Sequence, residues 1–208
     1  MIRKSVQSFV QKLLLVSFSA FLIWQSIQLV SNIVQYAHPT TLWDIVTQSV
    51  LLNLFITGIF LVGYALPLYR LLPASYYISV ESQWFATTCA FLRIELFRKI
   101  MRLTFWNSRN NKRHFFDGTR AGLTQFENNT RISESSHSFA FVSIVVVSFY
   151  IGVVADIHIA LIATLIDVIV NFYPAMLQRY HRLRLQTIRR HTTPQEESSV
   201  GHLAGHST

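Results

Sequence analysis

Charge is scarce in this chain of 208 residues: 13% are Asp, Glu, Lys or Arg, against 51% hydrophobic. Such a balance is too apolar for an ordinary soluble domain and suits a small polytopic membrane protein. Cysteine is scarcer still. The single Cys89 excludes an intrachain disulfide framework and a cysteine-rich metal site. Strand-period alternation and internal repeats are also missing, which leaves helices as the building material.

Two long stretches lack any Asp, Glu, Lys or Arg: Leu13 to Trp43 and Ile45 to Tyr69. Each exceeds the roughly 20 residues a helix needs to cross a bilayer core. The first follows Arg3, Lys4 and Lys12 like a signal peptide, but its apolar part is long and has no small-residue cleavage site, so an uncleaved anchor is expected. Ser138 to Leu177 has no Lys or Arg and holds only Asp156 and Asp167. It reads as two more spans, turning at Asp156-Ile157-His158. The expected architecture is all-α: one membrane domain over 1–190 with spans near 13–36, 45–69, 138–155 and 159–178, an inner segment 70–137, and a disordered polar tail 191–208.

The net charge of +8 could point to nucleic acid. Placement decides against it. With both termini cytoplasmic, every Lys and Arg falls in the N-terminal tail, the Arg70–His137 segment or the tail from Gln178. The outer turns carry only Asp44 and Asp156 as charged residues, with His38 and His158. This is a positive-inside pattern of a multi-pass protein in the cell membrane, not a basic surface for nucleic acid.

The inner segment, from about Glu81 to Trp106, alternates Phe85, Leu92, Phe97 and Ile100 with Arg93, Arg98, Lys99 and Arg102. It reads as one basic amphipathic helix, either lying in the interface or packed on the bundle. Asn107–Asn111 is a polar break and Asp117-Gly118 a turn signal. A further helix is expected from about Thr124 into the third span.

Chemistry-bearing residues gather at the two ends of the last hairpin. Glu134 and His137 are three apart, so a helix places them on one face. A carboxylate there can fix the imidazole tautomer and leave the other nitrogen to take a proton from a hydroxyl. The bland alternative is an interfacial pair closing a polar segment. Asp167 and Asn171 are four apart inside the fourth span, where polar groups are costly and either functional or interhelical ties. Gln178, Arg179, Tyr180, His181, Arg182 and Arg184 leave the membrane together. Arg alone would serve as a positive-inside stop; the mixture with Gln, Tyr and His suits a phosphate-bearing thioester carrier. One E-x-x-H is too few for a di-iron carboxylate bundle; His114 and Asp117, in a loop-like stretch, are the further ligand candidates. Neither the multiple histidine boxes of membrane desaturases nor H-E-x-x-H is present. Cys89 reads as a packed thiol. The Asn128-Asn129-Thr130 sequon lies on the expected cytoplasmic side.

The two ends of the hairpin resemble the glycosyl-4,4'-diaponeurosporenoate acyltransferase family of staphyloxanthin-type carotenoid biosynthesis. Its E-T-x-R-A-E-L-x-H-W block is matched at Thr130, Glu134 and His137, with Asn129, Ser133 and Ser138 departing. Its N-x-P and Q-R-Y-N-R-P-R-L blocks are matched by Asn171 and by the run Gln178 to Leu185, with Pro174 one place late and His181 and Leu183 departing. Leu72-Pro73 and Tyr76-Tyr77 also look like the family. The resemblance implies a membrane O-acyltransferase, with a glycosylated carotenoid acid or similar lipid as acceptor and an activated fatty acyl group on a soluble carrier as donor. Catalysis would fall to His137 as general base, with Glu134 orienting it. Substrates would be bound by Asn171, Gln178, Arg179, Tyr180, Arg182 and Arg184. No metal and no cofactor is expected. Two other classes fit the residues: a non-catalytic membrane subunit or assembly factor, and a metal-dependent membrane enzyme using Glu134 and His137.

Overall fold

The computed structural model describes residues 2–36, 41–77, 83–104 and 120–185. Among them there are helices and no strands. The helices are α1 (Ile2–Gln35), α2 (Leu42–Ile59), the short α3 (Ala74–Tyr77), α4 (Gln83–Phe91), α5 (Ile94–Thr104), α6 (Arg120–Val154) and α7 (Ile157–Leu185). Four of them contain stretches long and apolar enough to cross a membrane: Phe9–Gln35, Leu42–Tyr64, Thr124–Val154 and Ile157–Leu185. The protein is therefore an all-helical, multi-pass membrane protein. The expectations for His38, His114, Asn107–Asn111, Asp117-Gly118 and the tail 191–208 fall outside the described residues.

The chain divides into two compact units. Unit 1 holds Met1–Pro73 and Arg131–Met176. Its core joins Ile33 of α1, Leu52 and Ile56 of α2, Ile144 and Ile151 of α6, and Ile159 of α7. Large apolar side chains such as Leu14, Trp24, Leu54, Phe149 and Leu165 face outward, while Ser49, Asn53, Asp167 and Asn171 are buried. A lipid solvent rewards that inversion, because polar groups must find partners inside the protein. The ties are specific. Ser19 Oγ donates to the Ile59 carbonyl (3.0 Å), Ser49 Oγ to that of Ile159 (3.2 Å), and Asn53 Nδ2 to those of Ser49 and Ala163 (both 3.0 Å).

Helix ends follow local chemistry. Thr41 and Asp44 form a reciprocal capping box that opens α2. The second span expected to reach residue 69 instead tightens to a 3₁₀ turn at Phe60–Tyr64, ahead of Pro67. Between α6 and α7, Asp156 caps α7 by accepting from the His158 and Ile159 amides (2.7 and 3.0 Å), so the expected tight turn is present. Gly152 permits it: a Cβ there would lie 3.0 Å from that of Ala160. Within α7, Val168–Phe172 forms a π turn. Pro174 lacks an N–H, and its ring crowds the carbonyl four residues earlier, which a locally wider turn relieves.

Unit 2 holds Ala74–Thr130 and Leu177–Thr208. The single amphipathic helix expected from Glu81 to Trp106 is here two helices, broken at Leu92-Arg93, with Arg93 at φ 49°. Packing explains the break. Phe85 and Cys89 are buried one turn apart, and the next buried side chain, Ile94, follows after five residues. In an unbroken helix five steps would rotate Ile94 about 140° off that stripe. A turn through the left-handed region resets the phase.

Candidate functional site

In unit 1, His137 lies on α6 near the middle of a 35-residue helix. Asn171 occupies the π turn of α7 and is fully buried, as is Asp167 one turn before it. His137 Nδ1 is 3.0 Å from Asn171 Oδ1. Asn171 Nδ2 donates to Thr57 Oγ1 of α2 (2.8 Å) and to Asp167 Oδ1 (2.9 Å). Three spanning helices thus meet on one amide. In the same unit Phe60 stacks on Phe139 (ring centroids 6.1 Å apart) and Phe141 meets Phe172 (5.4 Å). Gly63 brings the 3₁₀ turn against α6, where any Cβ would strike Ser136 Oγ, one residue before His137.

The donor and acceptor inventory assigns protons. A carboxylate accepts, so the NH₂ side of Asn171 faces Asp167 and its oxygen faces His137. With Asp167 ionised, this orientation calls for the hydrogen on His137 Nδ1 and the lone pair on Nε2. That is the state a general base needs.

Glu134 is buried one turn before His137 on α6, as are its neighbours in sequence Ser135 and Ser136. The helix does place Glu134 and His137 on one face, yet Nδ1 of His137 meets Asn171 rather than the carboxylate expected from the E-x-x-H spacing. Both amide hydrogens of Asn171 are engaged, so its hydrogen bonds hold side chains of this unit. Thr130 Oγ1 returns to the Glu127 carbonyl at 2.7 Å inside α6, so the sequon there is helical and its Thr is buried.

The rest of the expected site lies in unit 2, at the end of α7. Arg179 Nη2 donates to the Tyr76 carbonyl (2.7 Å), with its guanidinium 4.6 Å from the Tyr76 ring centroid. Arg182 is fully buried; its Nε donates to the Tyr77 carbonyl (3.1 Å), and its guanidinium lies 5.2 Å from the Tyr77 ring centroid. The two arginines therefore tether α3 to α7, and the Tyr76-Tyr77 and Gln178–Leu185 blocks are physical partners. Tyr180 Oη bonds Glu95 Oε1 (3.0 Å), which also pairs with Arg98 (3.5 Å). Gln178 is half-buried and Arg184 is exposed.

A cavity of about 530 Å³ opens in this unit. Phe85, Ala90, Ile94, Leu96 and Leu183 supply apolar wall, and the Glu95–Tyr180 bond supplies a polar edge. Its size and lining are those of a small-ligand pocket. Cys89 also lines it, and burial pushes the thiol up from its ordinary value. It is therefore a packed thiol and a poor nucleophile. Among the described residues, no three His, Cys, Asp or Glu side chains gather as metal ligands.

Thr57 was not signalled by any motif. The only trace is the four-residue spacing of Ser49, Asn53 and Thr57, a polar stripe along an apolar helix. The Tyr180–Glu95 contact had no sequence signal at all.

A family model described as glycosyl-4,4'-diaponeurosporenoate acyltransferase matches residues 73–191, more than half of the 208. The match contains Glu134, His137, Asp167, Asn171 and the Gln178–Arg184 run, and leaves out α1 and α2. No curated protein and no solved structure matches the chain.

Proposed function

The chain belongs to the glycosyl-4,4'-diaponeurosporenoate acyltransferase family, acyltransferases of carotenoid biosynthesis, and on that premise we propose that it transfers an activated fatty acyl group to a hydroxyl of a membrane-dissolved glycolipid, a glycosylated carotenoid acid or a close analogue. The observation that carries the mechanism is the bond between His137 Nδ1 and Asn171. It leaves Nε2 to accept the proton of the acceptor hydroxyl as its oxygen attacks the acyl carbonyl. The new C–O bond forms, the tetrahedral intermediate expels the carrier thiolate, and the imidazolium returns the proton to that sulfur. Asn171 orients His137 in this reading, a task the E-x-x-H spacing suggested for Glu134.

The donor is proposed to be a thioester on a phosphate-bearing soluble carrier. Exposed Arg184, with Arg179, Gln178 and Tyr180, would meet its polar part, whereas buried Arg182 holds the helix end in place. The apolar cavity of unit 2 would take the acyl chain. On that basis Ala90→Trp, which fills the cavity, should lower activity with long acyl donors about tenfold relative to short ones. Equal losses with both lengths would remove the cavity from chain binding. The confinement of all Lys and Arg to the termini and the 70–137 segment supports a cell-membrane protein with both termini cytoplasmic. Protease access to terminal tags in sealed membranes checks that topology.

The test of the activity is direct. Purified protein in lipid nanodiscs is incubated with a radiolabelled acyl thioester and a panel of lipid glycosides. A labelled glycolipid ester is expected, and its absence across the panel would leave a non-catalytic membrane subunit as the better reading.

A further inference from the structure

We infer that Asp167 is a positioning residue that sets the tautomer of His137 through the Asn171 amide, with Thr57 holding that amide in place. The inference deepens the proposed acyl transfer and rests on that reading only for its kinetic consequence. The tautomer itself is a property of the protein.

A buried asparagine can present either face of its amide, and only its neighbours decide which. The Thr57 hydroxyl accepts or donates, so it satisfies either orientation. His137 accepts or donates at Nδ1 according to its tautomer, so it too is indifferent. Of the three partners, Asp167 alone is restricted to accepting, as long as its carboxyl is ionised. Its Oδ1 takes one amide hydrogen of Asn171 at 2.9 Å, which turns the other amide hydrogen to Thr57 and the amide oxygen to His137. The imidazole must then donate from Nδ1. Information passes from a carboxylate to an imidazole through an intervening amide.

The choice of residue fits this role better than a helix tie does. A tie between spans needs only a neutral group, and Asn53 supplies one where it bonds the Ala163 carbonyl. A carboxylate is a costly side chain at this depth. Asp167 is fully buried, and its Oδ2 has no hydrogen-bond partner among the described residues. It makes no bond to another spanning helix among those described; its described partner is Asn171, on its own helix. Thr57 adds what α7 alone cannot. It comes from α2, outside the family-matched residues 73–191, and gives the second amide hydrogen an acceptor that the membrane would not.

Solid-state NMR of protein carrying ¹⁵N-labelled histidine in bilayers reads the tautomer without any assay of activity, with His137→Gln identifying the resonances. In wild type, Nδ1 should be the protonated nitrogen and Nε2 the bare one. Asp167→Asn is isosteric and can donate or accept, so it should release the amide and give a mixture of tautomers. Thr57→Ser keeps a hydroxyl and should leave the Nδ1–H form intact. Asp167→Asn should also lower kcat about ten- to a hundredfold with little change in KM, since the imidazole is then mis-set in a fraction of molecules. A wild-type His137 protonated at Nε2, or an unchanged Nδ1–H population in Asp167→Asn, would overturn the inference. The expected tautomers together with full activity of His137→Ala would instead sink the catalytic reading and leave this one standing.

Discussion

His137→Ala is expected to lower acyl transfer about 10²–10⁴-fold, the range that removal of a general base typically costs. The side chain is half-buried, so most of the loss should appear in kcat and not in folding. Removal does strip the Asn171 oxygen of its described donor, and an orphaned buried acceptor costs about 1–3 kcal/mol. A modest fall in thermal stability should therefore accompany the kinetic loss. His137→Gln separates the two effects: its amide can still donate toward Asn171, so stability should recover while activity does not. The assay is single-turnover acyl transfer in nanodiscs beside a thermal unfolding curve. Transfer by His137→Ala equal to wild type would exclude the imidazole from the chemistry, whatever the family membership implies.

Arg182→Ala is expected to act in the opposite way, on stability first. The Arg182 guanidinium is fully buried between the Tyr77 carbonyl and the Tyr77 ring. Truncation leaves that carbonyl without this charged donor and ends a cation–π contact, a loss of about 2–3 kcal/mol. Arg184→Ala is the control, because its side chain is exposed and its removal should leave stability unchanged. The two arginines sit two residues apart in one basic run, so sequence alone gives them the same role. Thermal unfolding and KM for the acyl donor distinguish them. A raised KM with unaltered stability in Arg182→Ala would return Arg182 to donor binding, the role its place in the run suggests.

Much of the fold is legible because lipid imposes simple rules. The four spans follow from long apolar stretches with few or no charged residues, and the hairpin turn from Asp156, whose short acceptor caps the next helix. The break at Arg93 is not legible in the same way. Helical periodicity persists through Glu81–Trp106, and only the need to bury Phe85, Cys89 and Ile94 together forces the left-handed turn. The site divides along the same line. Composition singles out Asp167 and Asn171 as polar groups in costly places, since an intramembrane polar side chain stands out against its neighbours, and spacing singles out Glu134 and His137. They do not say which groups bond. The E-x-x-H spacing favours Glu134 as the partner of His137 because it counts residues along one helix; the bond to Asn171 is made across 34 residues.

What the sequence by itself determined is the class of protein: helical, multi-pass, basic at the chain ends and in the 70–137 segment, with family blocks at Tyr76-Tyr77, Glu134–His137 and Gln178–Leu185. These are properties of composition and local spacing, and a bilayer reads them one segment at a time. Only the tertiary structure decided what each polar group does. It separated the arginine tether of Arg182 from exposed Arg184, and it brought Thr57 of α2 to the Asn171 amide. The physical reason is that hydrogen bonds between helices depend on rotation and depth. A single residue's shift turns a side chain by about 100°, which a linear pattern of polar and apolar residues only weakly constrains.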